Sequence, residues 1–131
     1  LYCVIWVKLQ SHIDFEHFRP LLTEVFKKYP KGAGGAPPFD YVMMFKILVL
    51  QKFYNLSDDK TAFHILDRVS FMRFLGLALC DKVPDSKTIW HFREELTKAG
   101  VIEKLFIQIN ELYQPNSGFG EFFNREIEII F

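Results

Sequence analysis

The segment over residues 41–54, Y-V-M-M-F-K-I-L-V-L-Q-K-F-Y, is apolar on almost every side when it is drawn as a helix. Asp40 stands directly before it, where a helix N-cap is expected. A helix that is apolar all round is stable only inside a protein, so other segments must surround it. It also falls short of the roughly 18 residues that a membrane span needs. We therefore predict a central buried helix, whose buried residues include Met44, Ile47 and Leu48.

Other segments show helical periodicity with recognisable starts and stops. Over residues 13–28, either the helix begins near Arg19 with Pro20 in its first turn, or it kinks at Pro20. Further helices are expected over residues 57–68, 70–75, 86–98 and 101–113. Their predicted N-caps and terminators are Ser57, Asp85, Gly76 and Gly100. We predict an all-α fold, a compact bundle of about five to six helices with a helix-turn-helix-like unit and irregular or strand-like ends, residues 1–7 and 126–131.

Size and charge restrict the classes of protein to which the chain can belong. One domain is expected from 131 residues, and half of them are apolar, which is enough for a core. The 16 basic and 16 acidic side chains cancel, which argues against tight non-specific DNA binding because that depends on excess Lys and Arg. Cys3 and Cys80 show no metal or redox spacing, so reduced thiols in a cytoplasmic protein are expected. Neither a secretory nor a membrane-spanning segment is predicted.

No group of residues has the spacing of a catalytic or metal site. Four acids lie in turns or in the first turns of predicted helices, where carboxylates accept backbone N–H bonds: Asp58, Asp59, Asp81 and Asp85. His12 and His17 are five residues apart, so they do not share a helix face as a metal-binding pair would. Solvated or hydrogen-bonded side chains are expected at His12, His17, His64 and His91. We predict no catalytic residue, no metal site and no cofactor for this chain.

Aromatic residues recur at helical spacing through the second half of the chain. Such a stripe either packs in a core or provides a platform on which bases stack. Core packing is the favoured interpretation for Phe63, Phe71, Phe74, Trp90, Phe92 and Phe106. Trp90 falls at the edge of its predicted helix and is the exception among them.

The predicted helix over residues 86–98 has two opposite faces. Ile89, Phe92 and Leu96 share an apolar face at 100° per residue. The opposite, polar face carries Lys87, His91, Glu94 and Lys98. Such a helix fits the major groove of DNA, where the first turn approaches base edges. From the spacing alone, an ordinary solvated helix face is the favoured interpretation, because Glu94 and Glu95 on the same helix repel phosphate.

Four blocks of the sequence resemble the N-terminal domain of bacterial transposases of the insertion-sequence-five (IS-five) family. They are P-P-F-D-Y-V-M-M-F-K, Y-N-L-S-D, D-R-V-S-F-M-R-F-L-G-L and K-V-P-D-S-K-T-I-W-H-F-R-E. The resemblance covers residues 19–113. It implies an all-helical domain that binds double-stranded DNA at the terminal inverted repeats of the element. In full-length relatives, three carboxylates on a later ribonuclease-H-like domain would use Mg²⁺. No matching segment follows residue 113, so a non-catalytic, truncated chain is expected.

The resemblance also favours particular DNA contacts. Lys87, Thr88 and His91 are predicted to lie near base edges. Arg68 and Arg73 are candidates for the phosphate backbone, and Lys98 is a candidate DNA contact on the same helix face as Lys87. Arg68 has an alternative role, an ion pair with Asp85 or another acid that would hold the turn.

The resemblance divides the chain into three parts and leaves a second function open. Residues 1–12 form a segment outside the family, residues 13–113 the DNA-binding domain, and residues 114–131 a divergent tail. The expected location is the bacterial cytoplasm, at the nucleoid. The alternative function is a helical interaction module that self-associates, or pairs with and inhibits an intact transposase. The broad apolar stripe predicted on the last helix would suit that role: Ile102, Leu105, Phe106, Ile109 and Leu112.

Overall fold

The computed structural model describes residues 13–28 and 39–112. Within these two ranges a 3-10 turn (Phe15–Phe18) precedes six α-helices, and no strand occurs. The helices are α1 (Arg19–Lys28), α2 (Tyr41–Tyr54), α3 (Asp58–Asp67), α4 (Val69–Leu75), α5 (Ser86–Lys98) and α6 (Ile102–Leu112). The all-α prediction is confirmed. The predicted strand-like ends, the tail and His12 lie outside the described residues.

Helix α2 is the centre of the bundle. It packs against the 3-10 turn and against α1, α3, α4 and α5. Most of its residues are buried, including Met44, Ile47 and Leu48, as the sequence predicts. Lys46 is half-buried, and its Nζ donates a hydrogen bond to the carbonyl oxygen of Phe74 at 3.1 Å. Burial lowers the pKa of Lys46. A bundle built around one apolar helix follows directly from the composition of α2.

Helix ends are set by local hydrogen bonds. The side chains of Asp40, Ser57 and Asp85 each accept a backbone N–H from the first turn of the helix that follows. Gly76 and Gly100 end α4 and α5 with positive φ angles of 76° and 72°. Pro20 lies in the first turn of α1, which begins at Arg19, so the first of the two alternatives for this helix is correct.

Aromatic packing joins the helices. Phe26 of α1 lies between Tyr41 of α2 and Phe92 of α5, with ring centroids 4.7 and 5.0 Å apart. The predicted core positions Phe71, Phe74, Phe92 and Phe106 are buried. The prediction for Phe63 is wrong: its side chain is 61% exposed. Helix α3 turns Thr61 and Ile65 inward, and Phe63, two residues from each, therefore points to the other side. Trp90 is also partly exposed.

None of the helices in the described part of the chain is both long and apolar enough to cross a membrane.

Candidate nucleic-acid interface

Helix α5 presents the two faces that its sequence predicts. Ile89, Phe92 and Leu96 are buried in the core. On the opposite side, Lys87 and Lys98 are exposed and His91 is partly exposed. This side is therefore available to a ligand along the whole helix, with one lysine in the first turn and one in the last.

The first turn of α5 is held by Asp85 and Thr88. Asp85 Oδ1 accepts a hydrogen bond from the backbone N–H of Thr88 at 2.8 Å and another from its hydroxyl at 2.7 Å. Both bonds hold the pKa of Asp85 below its ordinary value, the hydroxyl bond most of all. The Thr88 hydroxyl proton is thus engaged within the protein. A base contact by Thr88 would have to use its oxygen as an acceptor or replace this bond.

An ion pair fixes α5 to the helices behind it. Arg93 donates to Asp58 through Nη1 at 2.5 Å and through Nη2 at 2.9 Å, across 35 residues of sequence. Arg93 Nη1 also donates to Gln51 Oε1 at 2.9 Å, and Gln51 Nε2 donates to Asp58 Oδ1 at 2.7 Å. The Arg93–Asp58–Gln51 network therefore joins α5, α3 and α2. The hydrogen bond from Arg93 holds the pKa of Asp58 below its usual value, and Asp58 raises that of Arg93.

The network corrects the sequence interpretation of Asp58. Asp58 lies in the first turn of α3 and Ser57 is the N-cap, both as predicted, but the Asp58 carboxylate accepts from Arg93 and Gln51 rather than from a backbone N–H. Asp85 caps as expected, and Asp81 accepts from the backbone N–H of Ala78 at 2.8 Å in a turn. No spacing or motif in the sequence predicts a role for Arg93. Its only local signal is its position at the border between the two faces of α5.

Arg68 and Arg73 belong to different elements of the fold from the lysines of α5. Arg68 stands between α3 and α4, and Arg73 is on α4, whereas α5 packs mainly on α3 and α2. Both arginines are exposed. The Arg68 guanidinium lies 5.5 Å from the Phe71 ring centroid. It forms no ion pair with any residue in the described ranges, so the predicted alternative of a pair with Asp85 is wrong.

A cleft of about 290 Å³ adjoins the network. It is lined by Gln51, Lys52, Asn55, Leu56, Ser57, Asp58 and Arg93. Burial and the nearby charge of Arg93 lower the pKa of Lys52. No group of three or more His, Cys, Asp and Glu side chains that could hold a metal ion occurs within the part of the chain that the structure describes.

The sequence matches the family described as "Transposase domain (DUF772)" over residues 4–95. The chain belongs to this transposase domain family. No solved structure matches it. Membership implies a role in transposition and an interaction with DNA in general. The matched range includes Lys87, His91, Arg68 and Arg73, and it ends within α5, before Lys98.

In the transposase domain, α5 is not preceded by the short turn that precedes the second helix of a helix-turn-helix. Residues 76–85 form an irregular connection before α5, whereas a helix-turn-helix turn has roughly three to four residues. Only Arg68 separates α3 from α4. Helix α5 is instead presented by its packing on α2 and α3 and by the Arg93–Asp58–Gln51 network.

Proposed function

We propose that this transposase domain is the N-terminal DNA-recognition domain of an insertion-sequence transposase of the IS-five family, and that it binds the terminal inverted repeats of its element. The observation that carries the proposal is the orientation of α5. Its apolar face is buried, and its lysine-bearing face is exposed. A groove-binding helix needs this arrangement, because the side chains that contact the bases must project from the protein on the same side.

Rigidity of α5 supports the same proposal. A recognition helix must present its side chains in a fixed register, and the Arg93–Asp58–Gln51 network ties α5 to the central helix. Lys87, in the first turn, approaches base edges or the rim of the groove. Lys98, in the last turn, is placed for a backbone phosphate.

The charge balance determines what kind of binding we expect. With zero net charge, the chain cannot rely on long-range attraction to any duplex. Arg68 and Arg73 add exposed cations on the α3–α4 side, where they would contact phosphates and position the protein without reading sequence. We assign recognition, not strand cleavage, to residues 13–113, and the Mg²⁺-dependent chemistry of full-length transposases to a later domain.

The prediction that tests the proposal is a loss of DNA affinity in Lys87→Ala. Against a duplex carrying the inverted repeat, the loss should be about 1–3 kcal/mol if Lys87 contacts a base. If Lys87 contacts only phosphate, binding to repeat and scrambled duplexes should weaken alike, and the salt slope should fall by about one. Fluorescence anisotropy at several salt concentrations, with both duplexes, measures these quantities.

The matched control is Lys104→Ala, which removes an exposed lysine from α6 instead of α5. It changes the net charge equally and should leave the difference between the two duplexes intact. Lys98→Ala should weaken binding to both duplexes. If Lys87→Ala and Lys98→Ala both bind either duplex as the wild type does, α5 is not the DNA-binding face.

A further inference from the structure

We propose that the outer face of α3 is a self-association surface, on which two copies of the chain pair with their α3 helices antiparallel. Three large apolar side chains are exposed in succession there and at the start of α4: Phe63 at 61%, Leu66 at 64% and Val69 at 58%. Phe63 and Leu66 share the outer face of α3 at a spacing of three residues, and Val69 comes next in the chain after the helix breaks at Arg68. Single exposed apolar residues are common on proteins, whereas a contiguous group marks a binding surface.

The exposure of these residues follows from how α3 packs. The helix turns Thr61 and Ile65 into the core, where it meets α5, α4 and α2. Phe63 and Leu66 occupy the remaining side, and no helix of the described ranges, 13–28 and 39–112, covers them. The last helix, whose apolar stripe is predicted from the sequence as a possible interaction surface, does not expose the centre of that stripe. Leu105, Phe106 and Ile109 of α6 are buried in the core of this same chain.

The charges around the apolar group indicate what binds there. On α3 itself, Asp59, Lys60 and Asp67 are exposed, and these two carboxylates and one ammonium group leave a net negative charge beside Phe63 and Leu66. DNA requires an excess of cations, so this face does not fit a phosphate backbone. Neither Lys60 nor Asp67 forms an ion pair with another residue in the two described ranges. Both are therefore available to a partner whose charges alternate in the same way.

A second copy of α3 supplies that pattern. On the helix, Lys60 and Asp67 are seven residues apart and lie on the same flank of Phe63. A two-fold axis between Phe63 and His64 places Lys60 of one copy opposite Asp67 of the other, twice. A parallel pairing, with the two-fold axis along the helices, would instead place the charged flanks of the two copies on opposite sides of the contact, where Lys60 could not meet Asp67. The charge pattern thus selects an antiparallel, isologous contact around the apolar side chains.

Sedimentation equilibrium of the full chain without DNA tests the proposal. We expect a concentration-dependent dimer. Leu66→Glu should raise the dissociation constant about tenfold or more, because it places a charge in the apolar centre of the contact. The matched control is Leu79→Glu, at a position 83% exposed in the connection before α5, and it should dimerise like the wild type. Phe63→Gln is a second variant of the surface, and circular dichroism establishes that each variant is folded.

Charge reversal tests the register. Lys60→Asp alone should weaken the dimer, since it faces Asp67 of the other copy. Adding Asp67→Lys should restore it, because each intermolecular pair is then inverted. A chain that stays monomeric at every concentration overturns the proposal, as does a dimer that Leu66→Glu leaves unchanged. A double reversal that fails to restore the dimer overturns the antiparallel pairing.

Discussion

Leu48→Ala is expected to lower the free energy of unfolding by about 2–5 kcal/mol, the range for emptying a large core position. Leu48 lies in the middle of α2 and is 1% exposed. Because α2 contacts four other helices and the 3-10 turn, its neighbours are held from several sides and cannot easily close the cavity. Urea unfolding followed by circular dichroism measures the loss as a lower midpoint at an unchanged slope.

Leu79→Ala is the matched control for this substitution. It removes the same atoms from a side chain that is 83% exposed, so a change within about 0.5 kcal/mol is expected. A loss below roughly 1 kcal/mol for Leu48→Ala would mean that α2 is peripheral and that the bundle is not organised around it.

The helices could be predicted because their signals are local. Asp40, Ser57 and Asp85 each bond a backbone N–H only three residues ahead. Gly76 adopts a left-handed backbone conformation, which is unfavourable for residues other than glycine. The glycine in the sequence therefore predicts where α4 ends. For α2, apolar composition on all sides was enough to place it at the centre.

The error at Phe63 has a different origin. Helix α3 is short, and the sequence offers two sides that could face the core. Judged by hydrophobicity, the side with Phe63 and Leu66 would be buried before the side with Thr61. The structure chooses the latter, and the Thr61 hydroxyl is satisfied by the carbonyl oxygen of Ser57 at 2.7 Å. Which side of α3 is buried depends on the helices that pack against it. The local sequence pattern does not contain that information.

The candidate DNA-binding face was predictable in shape. The positions of Ile89, Phe92 and Leu96 follow from a period of 3.6 residues, and the opposite face follows from them. DNA binding by this face could not be predicted from the residue spacing, because an ordinary solvated helix shows the same spacing. Membership of the transposase domain family makes DNA the expected ligand. Arg93 was missed for a related reason: its partner Asp58 is 35 residues away, and nothing in one sequence pairs them.

Arg93→Ala is expected to destabilise the fold by about 2–3 kcal/mol, since hydrogen bonds to charged groups contribute about 1.5–3 kcal/mol. The substitution removes a bidentate partner from Asp58 and one hydrogen bond from Gln51, a side chain only 5% exposed. Arg73→Ala is the control, because Arg73 is exposed on α4 and should change stability by less than about 0.5 kcal/mol.

A double-mutant cycle separates the ion pair from the loss of packing. Asp58→Ala and Arg93→Ala should be less costly together than the sum of the two alone, with a coupling of about 0.5–3 kcal/mol. Additive effects would show that the two side chains stabilise the fold independently, contrary to the geometry of the network. Urea unfolding of the four proteins under one set of conditions gives the coupling.

Acid should weaken the same network in a defined direction. Arg93 holds the pKa of Asp58 below its ordinary value of 3.8, so the folded protein keeps this carboxylate charged where the unfolded chain already binds a proton. The stabilisation is therefore complete well above pH 3.8 and is lost as the pH falls through the folded-state pKa of Asp58. Asp58→Asn removes this titration, so its stability should fall less steeply than that of the wild type below about pH 4. Parallel acid profiles for the two proteins would show that the Asp58 charge does not stabilise the fold.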